Sequence, residues 1–412
     1  MRFPFIASAV ALLLGLLVDW LIYKTIPKLR EGKAGLPRKI YAVSAVLTLL
    51  LLIVIFILPH RSTESGILHI MWMLYTWATI YIAKFIYLLI YALLLPIRSL
   101  RRRPLIATGI PAIFAVLGFV TLWWGAAVGR RSIDISDVTI ASPRLPAGFD
   151  GMRIVQFSDA HVGTWGNDTT FVSDLVDKIN SLHPDMIVFT GDIVNRQTEE
   201  IYPFINTLSR LKAPLGVYSI MGNHDYGDYS DWPDEKAHRD NTLQLREIQK
   251  KMGWRLLDNE HVFIKSAAGD SIALIGVENW GEPPFKQYGD LHQAYPHDAG
   301  GHIHDDKFKI LLTHNPMHWH EAVRGNTDID LTLSGHTHAM QFLIGGIGSG
   351  LTPASLRYPE WGGLYTHDTP FTYPGGNKRI QSRLYVNIGC GEVAIPARIG
   401  ATPEITLITL RR

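Results

Sequence analysis

The sequence predicts an N-terminal bundle of four transmembrane α-helices, residues 1–128, followed by an α/β domain. Three observations carry this. Charge divides unevenly along the 412 residues: thirteen Lys and Arg stand against three acids up to Val128, a balance of +10, and the remainder carries −8. Long apolar runs fill the basic part, as in a membrane anchor with charged loops. Beyond Val128, short β-branched runs alternate with helical patterns, separated mostly by Gly, Asp, Asn and Pro, which is the rhythm of an α/β domain.

The apolar runs are Phe3 to Tyr23, Ile40 to Leu58, Ile67 to Leu95 and Leu105 to Val128, each long enough to cross ~30 Å of hydrocarbon as a helix. The first is read as a span rather than a cleaved signal peptide. It carries Asp19, lacks a small-residue cleavage site and precedes a basic loop. Lys24 to Lys39 holds six basic residues and one acid, and Arg98 to Arg103 holds four and none, so both loops are expected in the cytoplasm. The chain after Val128 then lies outside the cytoplasm, with Arg130 and Arg131 as the opposing signal. Asp19 and Lys84 fall within spans, where a functional reading would make each the other's natural partner; the expectation set above it is that Asp19 sits near a helix end and Lys84 snorkels.

The acidic remainder argues against a nucleic-acid surface. With Cys390 the only cysteine, an intramolecular disulfide and a multi-thiolate metal site are both excluded. Any metal must sit on His, Asp, Asn or Glu, and Cys390 itself is expected to be a buried small side chain.

Residues 129–150 are expected to form a linker and first strand, and residues 151–412 the main domain. Strands are expected at Arg153 to Phe157, Met186 to Thr190, Val217 to Met221, Ile272 to Val277, Lys309 to Leu312 and Asp328 to Leu333, with a helix at Phe171 to Leu182. Five of these strands run into clusters of potential ligands: Asp159 and His161; Asp192; Asn223, His224 and Asp225; His314; His336 and His338. Ligands in α/β sheets gather outside the carboxyl ends of strands, so these loops can converge. The irregular stretch Glu282 to Asp306 contains His292, His297, His302 and His304 without ligand-grade spacing and reads as a solvated loop.

The residue types suit metal chemistry. Asp159 and His161 are two apart, as are His336 and His338, and in extended chain both members of a pair project to one side. Asp192 follows a glycine, and its two carboxylate oxygens can bridge cations ~3.5–4 Å apart. Asn223 offers a carbonyl oxygen without charge. Two divalent ions with two ligating carboxylates leave a net positive centre that attracts phosphate and lowers the pKa of water. A nitrogen and oxygen ligand set suits Mn, Fe or Zn.

In these residues the chain resembles the calcineurin-like metallophosphoesterase superfamily, whose motif series is Asp-x-His, Gly-Asp, Gly-Asn-His-Asp, a lone His and Gly-His-x-His. It is most similar to the membrane-linked bacterial branch, which includes relatives of UDP-2,3-diacylglucosamine hydrolases. The resemblance implies an α/β/β/α four-layer sandwich. It implies a first metal on Asp159, His161, Asp192 and His338, and a second on Asp192, Asn223, His314 and His336, with Asp192 as bridge. It also implies that Asn223 and His224 touch the substrate phosphate, that His224 protonates the leaving oxygen, and that Asp225 orients His224. The chain departs from the pattern in lacking an acidic residue after Gly191-Asp192 and in carrying Ala339 where many relatives have glycine.

The function expected is a membrane-anchored, two-metal phosphoesterase that cleaves a phosphate mono- or diester with hydroxide. Its position near a bilayer makes a lipid-linked substrate a candidate. Arg357, Tyr358, Pro359, Trp361 and Tyr365 form a late loop that either grips a headgroup or packs on the domain. Two other readings stand beside this one: a pyrophosphatase acting on a nucleotide-linked lipid, and a membrane receptor that binds its ligand without turnover.

Overall fold

A computed structural model describes residues 5–26, 35–58, 64–283, 285–296, 307–373 and 376–412. It divides into two compact units, residues 1–127 with 394–397, and residues 128–393 with 398–412. His297, His302 and His304 lie outside the described residues.

The first unit contains α1 (Phe5–Thr25), α2 (Leu36–Ile57), α3 (Glu64–Leu94), the short α4 (Arg98–Arg101) and α5 (Pro104–Ala127). Among the described residues three helices are long and apolar enough to cross a membrane: Leu36–Ile57, Gly66–Leu94 and Pro104–Arg131. Helix α1 has 21 residues but is not among those three, so the expected four spans become three that meet the criterion.

The expectation of two independent ionisable residues in this unit is corrected. Lys84 Nζ lies 2.7 Å from Asp19 Oδ1, and the Asp19 carboxylate also accepts hydrogen bonds from Tyr41 (2.6 Å) and Tyr81 (2.8 Å). The cluster ties α1, α2 and α3 together. An unpaired charge is expensive among apolar helices, so the two ions neutralise one another instead of reaching water separately.

The second unit is a sandwich of two mixed six-stranded sheets. The first sheet runs in the order β1 (Asp134–Ala141), β12 (Glu404–Arg411), β2 (Arg153–Phe157), β3 (Met186–Phe189), β4 (Val217–Ser219), β5 (Trp254–Leu256). The second runs β10 (Gly363–Tyr373), β11 (Gly376–Val386), β9 (Leu331–Ser334), β8 (Lys309–Leu312), β7 (Ser271–Gly276), β6 (Glu260–Lys265). Strands β2 to β5 are mutually parallel, as are β7, β8 and β9.

Period-two alternation explains the layers. In β2 and β3, Ile154, Met186 and Val188 face the second sheet, where they meet Ile310, Leu312, Leu331 and Leu333 in one core. Val155, Phe157, Ile187 and Phe189 turn the other way and are covered by α6 (Thr170–Ser181) and α8 (Glu235–Lys251). Parallel strands buried on both faces read as continuous apolar runs, which is why they were legible. In α6 the buried Phe171, Val172, Leu175, Val176 and Ile179 fall on one helical face. Asp234 caps α8 by accepting the Ala237 N–H at 2.7 Å, while Lys250 and Lys251 oppose the helix dipole at its other end. The remaining helices, α7 (Ile205–Leu208) and α9 (Leu291–Ala294), are single turns.

Candidate metal centre

The carboxyl ends of β2, β3 and β4 open beside those of β8 and β9, so the five motif loops meet at one edge of the sandwich. Two groups of residues there bring ligand atoms within 4.8 Å of one another: Asp159, His161 and His338, and Asp192, His314 and His336. The backbone does this in a way the sequence did not suggest. Asp159, His161, Asp192, His336 and His338 have φ of 52°, 40°, 62°, 78° and 51°, in the left-handed region. The pairs two apart therefore converge through left-handed turns, not through the alternation of extended chain. Each such residue costs about 1–3 kcal/mol, and strain of this kind clusters at functional sites. Ala339, where relatives have glycine, is also left-handed at 48°.

Gly191 carries the turn before Asp192 with φ of 95°. A Cβ there would lie 2.6 Å from the Gly222 nitrogen and 2.9 Å from His314 Nδ1. Gly191→Ala is therefore expected to destabilise the unit by about 1–3 kcal/mol and to push the Asn223 and His314 loops apart. Thermal unfolding together with metal titration would detect both effects.

In the first group His338 Nε2 stands 3.1 Å from Asp159 Oδ1 and 3.2 Å from His161 Nε2. The Asp159 oxygens also accept the His336 backbone N–H at 3.1 and 3.0 Å. His161 Nδ1–H donates to the Val194 carbonyl at 3.1 Å, which turns its Nε2 lone pair into the site. Burial and the nearby His224 hold His161 well below its ordinary pKa, in the neutral form that ligates. His338 Nδ1 accepts from Arg398 at 3.1 Å, so its Nε2 carries the hydrogen and a cation there would displace that proton.

The second group centres on His314. Its Nδ1–H donates to the Thr190 carbonyl at 2.8 Å, which leaves Nε2 facing Asp192 Oδ2, Asn223 Oδ1 and His336 Nδ1, each at 3.1 Å. Asp192 Oδ2 is also 3.7 Å from His161 Nε2, so this carboxylate stands between the two groups. So many acceptor atoms around one point call for a cation. Burial opposes charge on His314, yet Asp192 raises it to about 9. Burial and the neighbouring His314 push His336 down to about 3. The donor set of nitrogen and oxygen atoms, and the positive charge it draws in, fit divalent metal ions.

One assignment is corrected. Asp225 was expected to orient His224, but its carboxylate accepts four backbone N–H groups: Asp192 (2.8 Å), Ile193 (2.8 Å), Val194 (3.2 Å) and Gly222 (2.9 Å). It positions the loop that presents Asp192. A buried carboxylate takes the nearest unpaired donors, and the tight Gly191–Val194 turn exposes three. His224 is held instead by Nδ1–H donating to the Asn195 carbonyl at 2.6 Å, with Tyr229 stacked on its ring at 4.3 Å between centroids.

The late loop packs on the domain. Trp361 is buried in a small apolar cluster, and Arg357 pairs with Glu282 at 2.7 Å. Tyr358 was named in that loop but not as part of the site; its hydroxyl lies 3.0 Å from His336 Nε2. Tyr358→Phe is expected to weaken metal affinity about 10–100-fold without unfolding the domain, as read by competition with a chelator. Arg398 under His338 carried no sequence signal at all, since it lies 60 residues further along the chain. Cys390 is buried as expected, and burial pushes its thiol up to about 12.

A sandwich that gathers two such ligand groups at its strand ends defines a metal-dependent phosphoesterase. The calcineurin-like phosphoesterase profile matches residues 152–340. The uncharacterized metallophosphoesterase YkuE of Bacillus subtilis (strain 168) is 34% identical over 288 residues, which are 68% of this chain and 86% of YkuE. The transmembrane protein with metallophosphoesterase domain of Danio rerio is 30% identical over 317 residues, 76% of this chain and 63% of that one. The UDP-2,3-diacylglucosamine pyrophosphatase LpxG of Chlamydia muridarum is 28% identical over 323 residues, 66% of this chain and 88% of LpxG. The chain belongs to the calcineurin-like phosphoesterase family and is a metallophosphoesterase with membrane-type helices.

Proposed function

We propose that this protein hydrolyses a phosphate mono- or diester at a two-metal centre, from a chain anchored by four spans, α1 included, with the site outside the cytoplasm. The supporting observation is the convergence of the two ligand groups with Asp192 between them. Asp159, His161, Asp192 and His338 would hold one ion, and Asp192, Asn223, His314 and His336 the other. When bound, such ions neutralise phosphate charge and acidify water.

The chain's own residues do the rest. Hydrogen bonds from His161 and His314 to backbone carbonyls fix each ring and its tautomer. The Asn195 carbonyl holds the Nδ1–H of His224, so that protonated His224 donates to a leaving oxygen through Nε2. The Asp192 carboxylate accepts the His224 backbone N–H at 2.8 Å, which ties the proton donor to the proposed bridge. Asn223, oriented by its amide donating to the Tyr229 hydroxyl at 2.8 Å, and Arg357 at the rim would contact the phosphate or its substituent.

The test uses the full chain loaded with Mn and offered a chromogenic monoester and diester side by side, and then the same headgroup with and without acyl chains. Turnover of either ester supports hydrolysis, and the better one names the class. No turnover with two metals bound would overturn it for both classes.

A second reading is favoured by the likeness to LpxG, a pyrophosphatase named for a nucleotide-linked lipid. Side-specific reporters on the C-terminus separate the two: a cytoplasmic terminus supports the pyrophosphatase, and an external one the phosphoesterase acting outside.

A further inference from the structure

From Ala339 to Leu356 the sequence runs without one charged residue, between His338 of the centre and Arg357, which precedes the Tyr358 that meets His336. The segment folds as a small hairpin. Ile344 and Leu351 exchange both backbone hydrogen bonds across it, at 3.0 and 2.9 Å, so their side chains stand on one face. Leu343 turns inward and joins Ala354, Trp361 and Ile388 in an apolar cluster. Its neighbours Phe342 and Ile344 turn outward.

In water the outward face of such a hairpin is ordinarily polar. Here it is apolar: Ile344 is 61% exposed, Leu351 73% and Leu356 91%, with Met340 and Phe342 also exposed. Other exposed apolar side chains of this unit, such as Ile135, Tyr202 and Leu243, lie on separate elements. A concentrated patch on a glycine-rich turn, without charge, marks an interaction site. The polypeptide that carries it has helices able to cross a bilayer, so lipid is the apolar phase tethered within its reach.

We propose that the hairpin at residues 342–356 dips Phe342, Ile344, Leu351 and Leu356 into the surface of the lipid bilayer. This holds the rim of the metal centre at the headgroup layer, where phosphoesters of membrane lipids lie. The inference rests on the membrane anchoring of the chain and deepens the proposed function by naming a lipid-surface substrate class.

The natural chain contains one thiol, Cys390, which is buried, so an added cysteine can be labelled selectively. Leu351→Cys and, separately, Leu356→Cys in the full chain would carry a nitroxide and be reconstituted into vesicles of phosphatidylcholine and phosphatidylglycerol. Leu243→Cys on α8 serves as the water-facing reference. The expected result is relaxation by oxygen over a water-soluble nickel chelate several-fold greater at 351 and 356 than at 243. A ratio equal to that at 243 would overturn the proposal. So would low accessibility to both reagents, which would mean that a second copy or another protein covers the hairpin. The readout uses no turnover, so a water-exposed hairpin leaves hydrolysis standing and an inactive protein leaves the hairpin result standing.

Discussion

Asp192→Asn is expected to lower phosphoester turnover on the order of 10³-fold while the domain stays folded. The carboxylate has two duties. Oδ1 accepts the His224 backbone N–H at 2.8 Å, and Oδ2 faces His314 Nε2 at 3.1 Å and His161 Nε2 at 3.7 Å. Burial works against its ionisation, yet His314 and His224 hold Asp192 well below the usual carboxylate range, so the native group is a carboxylate. Asparagine keeps the shape and an oxygen for the His224 N–H. Its amide nitrogen would then point at the imidazole nitrogens and satisfy them as a donor, which preserves the metal-free fold and removes the acceptor proposed to serve both cations. The measurements are turnover of the preferred ester with Mn, metal content per chain, and the unfolding midpoint of the metal-free protein. Two retained ions with unchanged turnover would rule out Asp192 as the bridge.

Arg130→Met is expected to produce the largest loss of stability. Arg130 stands 2.6 Å from Glu392, both are buried, and the guanidinium also lies over the Trp165 ring at 4.1 Å. The loop that carries Glu392 continues into the centre: the Gly391 N–H donates to the Asp159 carbonyl at 2.7 Å, and Cys390 N–H to Ser158 at 2.9 Å. Removing one partner leaves a buried charge uncompensated, about 3–5 kcal/mol, or on the order of 10 °C in the unfolding midpoint of the full chain in detergent. Arg130→Met with Glu392→Met is expected to recover most of this, because replacing both ions by apolar groups is close to neutral.

The loss also depends on pH, and its sign follows from Glu392. Burial pushes the Glu392 carboxyl from its ordinary 4.5 up to about 7, and the attraction of Arg130 does not cancel that rise. A folded-state pKa above the unfolded one means that folding takes up a proton between the two values. The stability linked to this group is fully present below about 4.5 and is lost as pH rises through about 7. Arg130→Met is therefore expected to cost more at pH 8 than at pH 5, where a protonated Glu392 is neutral. Equal losses at both pH values would contradict the pairing. A soluble fragment begun at Ser132 lacks Arg130 and is expected to unfold earlier than one begun at Val128.

Much of this protein was legible because its local patterns coincide with long-range needs. Parallel strands buried on both faces write themselves as apolar runs, and β2, β3, β4, β7, β8 and β9 all lie where such runs predict them. Strands β10 and β11 were not foreseen. Their sequences mix Thr, His, Asp, Lys and Arg, since β10 is an edge strand with an exposed face, and an edge carries no continuous apolar signal. The short β5 and the edge strand β6 were missed for a similar reason.

What the sequence determined by itself was the order of the ligand-bearing loops, the apolar helices before them and the class of chemistry, because strand ends deliver side chains to one edge wherever strands run parallel. Tertiary structure alone decided the rest. Left-handed turns at Asp159, His161, Asp192, His336 and His338 aim their side chains, and although Asp and His enter that region more readily than most residues, it stays uncommon for any side chain and the packed loops hold them there. Asp225 went to backbone donors, Asp19 found Lys84, and Tyr358 reached His336, each because a buried polar group takes the partner that packing brings nearest, however far away it stands in the chain.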